Sequence, residues 1–430
     1  MATIRPFRGW RYDPAQAGAL SDVTCPPYDV ISAEEQRGFY QRSPYNIIRV
    51  EYGEMRPTDT PTDNRYTRAR AELERWKAVG ALRQEAVPAL YLYEQQFQAR
   101  GELVRRQAWL VDLKVEPWSS GVVLPHEETM SGPKADRLEV LRTVQANTSP
   151  IFGLYPDPDR LIGAIADEVA ASTPDADLTD EAGEQHRLWA VRDPATLERL
   201  VRAFAGQPIL IADGHHRYET ALGYSTRADA TTGADGILIA LVAEDDPGLR
   251  IYPTHRTVQD ADTALLDQLP SRVADQFDIR PIGPLTTLRF EDVEAALAAS
   301  SQPAFALAGL PAGEVSILSP RGDWRAKLPP KSTAWQDLDL VALHALLLEP
   351  LLGIDVDQEG EGRVRFTRDA EGALAGVRDG SLQLAAFLSP PQARAIREVA
   401  QAGDRMPHKS TYFYPKMRTG LVIRGIGPNA

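Results

Sequence analysis

One cysteine in 430 residues, Cys25, is the first constraint on this chain. It excludes an intramolecular disulfide and a cysteine-built zinc centre, and it fits a reducing, cytoplasmic compartment best. No apolar run approaches the roughly 20 residues that a membrane-spanning helix needs, so no membrane association is expected. The opening residues, Met1-Ala2-Thr3-Ile4-Arg5-Pro6-Phe7, carry a charge with no apolar stretch behind it, so no signal peptide is expected. No internal repeat with a period of about 20–50 residues is visible, which excludes solenoids and propellers. Basic charge is scarce as well: 47 Lys and Arg against 60 Asp and Glu leave a net charge of -13. A polyphosphate backbone is held by clustered cations that release counterions, so nucleic acid is not an expected partner. A small anion in a pocket obeys a few local donors instead.

What is present reads as an ordinary globular chain, 43% hydrophobic and 25% charged, long enough for two or three domains. Helical spacing of Leu73, Trp76 and Val79 predicts a helix over about 64–82, and Leu138, Leu141 and Val144 predict another over 134–146. Ala89–Tyr93 and Leu103–Leu113 predict a hairpin turning near Arg100-Gly101. The acidic stretch Ser172–Gln185 reads as a loop. Gly236–Ala243 is apolar on both faces, the pattern of a strand covered on each side, and Leu249–Val258 reads as one further strand. Helices over 261–269, 337–349 and 391–402 alternate with strands over 304–307, 315–318, 382–388 and 410–414. That alternation predicts α/β or α+β architecture. We expect an N-terminal segment over 1–85, a core over 86–245 and a C-terminal α/β domain over 246–430.

The segment richest in chemistry is Ile209-Leu210-Ile211-Ala212-Asp213-Gly214-His215-His216-Arg217. A buried strand ends at Asp213-Gly214 and a helix starts near His216 or Arg217. Such a junction gathers backbone N–H groups and the positive end of the helix dipole at one spot, which favours an anion. Gly214 lacks the Cβ that would keep a phosphate at a distance. Arg217 can fork onto phosphate oxygens, and two imidazoles can donate further bonds. Asp213 can fix a histidine tautomer, hold a ribose hydroxyl or ligate magnesium. The plain reading is a common Asp-Gly turn. Adjacent histidines are poor zinc spacing on a helix, where i and i+4 share a face.

Two further stretches carry candidates. In Leu124-Pro125-His126-Glu127-Glu128-Thr129 a carboxylate beside a histidine can take a proton from an alcohol, although surface acids at a helix start read the same way. Lys134 and Arg137, three apart on a helix, can face an anion or simply solvent. In Met406–Gly420, basic and aromatic residues alternate in an acidic chain. The stretch can close over an anionic ligand or serve as an edge strand whose lysines discourage pairing.

These residues carry a resemblance. From Arg5-Pro6-Phe7-Arg8-Gly9 and Pro26-Pro27-Tyr28-Asp29-Val30-Ile31 to Lys409-Ser410-Thr411-Tyr412-Phe413-Tyr414-Pro415-Lys416, the chain resembles the bacterial and archaeal domain-of-unknown-function family numbered 1015. Asp213–Arg217 is also similar to the phosphate-binding motif of the ParB/sulfiredoxin superfamily, and within it to that of free-serine kinases. Those pair a His-Glu segment with an Asp-Gly-His-His-Arg segment, here His126-Glu127 and Asp213–Arg217. The resemblance implies a ParB/sulfiredoxin-like nucleotide-binding core with N-terminal and C-terminal additions. It lifts Glu127 above Glu128 as the base.

The implied activity is a small-molecule kinase that moves a phosphoryl group from ATP or ADP to an amino-acid hydroxyl, free L-serine first. Gly214, His215, His216 and Arg217 would hold phosphates, Glu127 beside His126 would accept the hydroxyl proton, and Asp213 would help place magnesium. Lys134, Arg137 and Lys409 are the candidates for neutralising charge or holding the substrate carboxylate. Two alternatives stand beside it. One is a nucleotide-binding regulator or partner-binding protein without turnover. The other is a sulfiredoxin-like enzyme, which would need Cys25 to be reactive.

Overall fold

Arg100 and Gly101 take positive φ, 53° and 80°, the backbone that a two-residue hairpin turn demands. They join two long antiparallel strands in which Ala99 faces Glu102 and Tyr91 faces Leu110. The computed structural model to which this hairpin belongs describes residues 2–129, 131–227, 229–301, 303–356 and 362–427. The architecture is mixed α/β, in two units. Unit 1 takes the chain up to Pro125, Thr129–Arg250, and the chain from Pro415 onward; unit 2 takes His126–Glu128 and Ile251–Tyr414.

Unit 1 is built on a nine-stranded mixed sheet. Its strands are β1 (Ile4–Arg5), β2 (Leu90–Ala99), β3 (Glu102–Lys114), β4 (Val123–Leu124), β5 (Ile151–Tyr155), β6 (Ala176–Thr179), β7 (Gln185–Val191), β8 (Ile209–Asp213) and β9 (Gly236–Ala243). They lie in the order β4-β8-β5-β9-β3-β2-β7-β6, with β1 also on β3. Strand β9 runs parallel to β5 and antiparallel to β3. Its Ile237, Ile239 and Leu241 enter the main apolar core, while Leu238, Ala240 and Val242 are buried on the other face. A strand covered on both sides must be apolar throughout, and this one is.

Five helices of unit 1 matter here: α1 (Arg65–Ala78), α2 (Ser131–Val144), α3 (Leu161–Ala170), α4 (Pro194–Phe204) and α5 (His215–Ser225). Asn64 caps α1 by accepting from the Tyr66 and Thr67 amides. The helix buries Ala69, Leu73 and Trp76, whereas Val79 lies past its end and is 49% exposed. The expected apolar face thus runs one turn earlier than the spacing suggested. Together with Phe39, Ile47, Ile48 and Leu82, α1 forms a second apolar core that also takes in Val144, Ala146 and Ile423. The expected loop over Ser172–Gln185 contains β6, the outermost strand of the sheet. An edge strand buries little, so polar residues suffice there and the apolar signal vanishes.

Unit 2 contains a six-stranded sheet of β10 (His255–Val258), β11 (Phe277–Pro284), β12 (Phe305–Ala308), β13 (Glu314–Pro320), β14 (Val364–Thr367) and β15 (Leu384–Phe387), in the order β11-β13-β12-β15-β10-β14. Helices α6 (Thr263–Gln276), α7 (Phe290–Ala298), α8 (Ala370–Asp379) and α9 (Ala393–Gln401) belong to the same unit. The strand expected over 249–258 is broken into Arg250–Tyr252 and His255–Val258, and Pro253, which has no N–H to offer a ladder, falls in the gap. The helix expected over 337–349 contains a π turn at His344–Leu348. Among the described residues no helix is long and apolar enough to cross a membrane.

Candidate functional site

Strand β8 carries Ile209, Leu210 and Ile211 fully buried, so the chain arrives at Asp213 from a rigid position. Pairing of β8 with β5 shifts register between Ile211 and Asp213. The bulge re-aims Asp213 away from the ordinary in-out alternation. Gly214 follows at φ 92°, a left-handed conformation that favours glycine, and stands as the residue before α5. The first rung of α5 is the Tyr218 amide to the Gly214 carbonyl, 3.0 Å. The amides just before it lie outside the helical ladder and mark the positive end of the dipole.

The reason for glycine differs in part from the sequence expectation. A Cβ at 214 would lie 2.7 Å from Ile151 Cγ2, so the residue is fixed by its φ and by packing against β5. His215 is buried and His216 half-buried. Arg217 is held at three points: Nη1 donates to Ser149 Oγ at 2.9 Å and to the Pro150 carbonyl at 3.0 Å, and Nη2 to Asp213 Oδ2 at 3.1 Å. Ser149 donates in turn to Glu51 Oε1 at 2.9 Å, and Glu51 also takes the Thr148 hydroxyl. A cavity beside the turn is lined by Glu51, Arg137, Thr148, Ser149, Arg217 and Thr220, and Thr220 Oγ1 is buried with no hydrogen-bond partner among the described residues.

Lys416, which sequence reasoning left inside a longer basic-aromatic stretch, pairs with Asp213 Oδ1. Both carboxylate oxygens of Asp213 therefore face cations. That arrangement does not fit the expected magnesium ligand, since a metal would have to displace a lysine or an arginine. Asp29 belongs to the same neighbourhood. Desolvation and the Asp213 charge raise its pKa, against the pull of Lys416 and Arg217. Among the described residues Asp180, Glu184 and His186 offer ligand atoms within 4.8 Å of one another. The Arg418 guanidinium already stands 3.1 Å from Asp180 Oδ2, where a metal cation would be needed.

The other predicted residues are placed as follows. His126 and Glu127 belong to unit 2. His126 is fully buried, its Nε2 lies 3.0 Å from Thr411 Oγ1, and its ring meets Phe413 edge-on at 6.0 Å. Glu127 Oε1 lies 3.5 Å from the same Thr411 hydroxyl and 3.7 Å from His126 Nε2. One hydroxyl thus joins the two residues of the motif. Lys134 on α2 pairs with Glu219 at 2.7 Å, and Thr129 and Trp118 also donate to that carboxylate. Arg137 is 5% exposed and is committed to Glu51 and Asp136, with its guanidinium 3.9 Å from the Tyr28 ring centre. It is a buried cation paired within the protein, and it lines the cavity beside Arg217. Lys409, in unit 2, stands 4.5 Å over the Phe366 ring. Cys25 is fully buried, and burial pushes its thiol well above the ordinary value in spite of Arg418. This removes the basis of the sulfiredoxin-like alternative.

A family model described as a protein of unknown function, DUF1015, matches residues 4–341. No curated protein matches the chain. Among solved structures, a conserved hypothetical protein from Pyrococcus furiosus is similar at 14% identity and TM-score 0.35, over 74% of this chain and 95% of that one. A free serine kinase solved with AMP is similar at 13% identity and TM-score 0.36, over 75% and 92%. SbnI from Staphylococcus aureus, truncated at its C-terminus, is similar at 11% identity and TM-score 0.34, over 72% and 86%. Likeness at this level does not bear on the activity, which has to be read from the residues.

Proposed function

We propose, for a chain that belongs to the DUF1015 family of proteins of unknown function, that it binds a nucleotide through its phosphates and transfers a phosphoryl group to a small alcohol. The observation that carries this reading is the junction of β8 and α5. There a bulge, a left-handed Gly214, the end of a helix dipole and Arg217 meet at one turn. In this reading the amides of the turn, with His216 and Arg217, hold phosphate oxygens of ATP or ADP. His215 backs them from the buried side. Phosphoryl transfer asks the protein mainly for position and charge neutralisation. The acceptor is an amino-acid hydroxyl, with free L-serine the first substrate to try.

Glu127 is the base in this scheme. Its carboxylate takes the hydroxyl proton as the new O–P bond forms and the bond to the leaving nucleotide breaks. Thr411 orients it from one side, and His126, buried behind the same hydroxyl, fixes Thr411. Lys134 and Lys409 remain candidates for the substrate carboxylate.

The experiment is a thermal-shift screen of the full chain with ATP and ADP, with and without magnesium, followed by an assay for phosphoserine. A ligand that binds only the folded form raises its apparent stability. Glu127→Gln is expected to lower turnover by about 10²–10⁴-fold with nucleotide affinity retained. A chain that no nucleotide stabilises would overturn the reading. Normal turnover in Glu127→Gln would remove Glu127 as the base.

A further inference from the structure

The stretch Met406–Gly420 was singled out by its cations, and one of them lies at the phosphate turn. We infer that Lys416 is a phosphate-binding residue, the cation that completes the β8–α5 turn for a polyphosphate. This inference rests on the nucleotide reading and adds to it a residue beyond the span that the family model matches.

The backbone on each side of Lys416 is anchored inside unit 1. Arg106, itself 1% exposed, donates to the Pro415 carbonyl at 2.6 Å, and Gln95 Nε2 donates to the Lys416 carbonyl at 3.1 Å. Met417 is buried. Arg418 is buried too and grips Thr24 Oγ1 at 2.6 Å, Asp180 at 3.1 Å and Glu181 at 3.2 Å. Beyond it the Thr419 amide donates to the Cys25 carbonyl at 2.8 Å, and the Gly420 amide to the Thr148 carbonyl at 2.9 Å. A segment fixed at so many points sets where the lysine side chain starts, and that side chain ends on Asp213.

The chemistry follows from charge and donor number. Asp213 alone would repel a phosphate at the turn. Arg217 on one oxygen and Lys416 on the other offset that charge at the positive end of the helix dipole. An ammonium has three donors, so it can bond Asp213 with one and a phosphate oxygen with another. Arg217 cannot do this as readily, because Ser149, Pro150 and Asp213 fix its planar fork. Lys416 is thus the adaptable cation of the pair. The ligand class is a compound with at least two linked phosphates, since a single phosphate can be satisfied by the amides and Arg217.

The test is calorimetric titration of the full chain with ADP, inorganic pyrophosphate and adenosine. The variants are Lys416→Ala, Lys416→Met and Lys416→Arg. Lys416→Ala and Lys416→Met are expected to weaken ADP and pyrophosphate by about ten-fold or more, and Lys416→Arg to recover most of the loss. Adenosine affinity is expected to be unchanged in all three. The methionine variant keeps the packing of the stem, so the comparison survives if the alanine variant does not fold. ADP affinity within about two-fold of the parent in the methionine variant overturns the inference while the nucleotide reading stands. So does an equal loss for adenosine and ADP, or failure of both variants to fold, because Lys416 would then be a structural partner of Asp213. Failure of the parent chain to bind ADP or pyrophosphate overturns both.

Discussion

Ser149 Oγ lies 2.9 Å from Arg217 Nη1 and accepts a hydrogen bond from it, while its own proton goes to Glu51 Oε1 at 2.9 Å. The hydroxyl therefore couples the guanidinium of the turn to a buried carboxylate in the N-terminal part of the chain. Ser149→Ala removes an acceptor from Arg217 and a donor from Glu51 at once. Expected are a stability loss of about 1–3 kcal/mol by chemical denaturation, and a several-fold weaker ADP titration. Unchanged values of both would mean that the contact does not hold Arg217.

Gly214→Ala tests the geometry of the turn directly. The substitution puts a side chain at φ 92° and a Cβ 2.7 Å from Ile151 Cγ2. The expected cost is about 1–3 kcal/mol of stability, together with loss of the nucleotide-induced rise in melting temperature. Ile151→Ala removes the Cγ2 that collides, so in a double-mutant cycle the combined loss should be smaller than the sum of the two single losses.

Thr411 touches both members of the His126–Glu127 pair. Thr411→Val keeps the shape and removes the hydroxyl. If Glu127 is oriented through it, the turnover number falls by about ten-fold while the apparent affinity for nucleotide holds. A change confined to nucleotide affinity would show that the hydroxyl serves another purpose.

Unit 2 carries a pH-sensitive carboxyl. Burial pushes Asp339 up to about 6, against the pull of the Ser389 and Leu340 amides and Arg256. The folded chain then holds a proton that the unfolded chain releases nearer pH 4, so this group makes stability fall as pH rises from about 4 to about 6. His255 works in the opposite sense. Burial first, and then the Arg256 charge, pull it down to about 4, so its neutral form favours folding at neutral pH and that contribution is lost on acidification. Asp339→Asn separates the two. Denaturation titrations at about pH 4 and pH 7 should show the parent losing up to about 3 kcal/mol relative to the variant as pH rises. A constant gap between parent and variant would mean that Asp339 titrates normally.

What the sequence settled by itself is local. The hairpin turn near Arg100-Gly101, the apolar run of β9 and the strand-to-helix break at Asp213-Gly214 each depend on neighbours a few residues away, and residue type and spacing report on such neighbours. The edge strand β6 and the break at Pro253 were missed because neither buries a periodic apolar face. The pairings made by the candidate residues within each unit are of another kind. Lys416 meets Asp213 across 203 positions, and His126 meets Thr411 across 285. The spacing of Arg137 is compatible with an anion or with solvent, and the fold buries it on Glu51. Such contacts follow from strand order and from where a chain end is threaded, and a single sequence does not encode either as a local preference. Only the folded chain brought those charges together, because burying its apolar strands fixed the positions of everything attached to them.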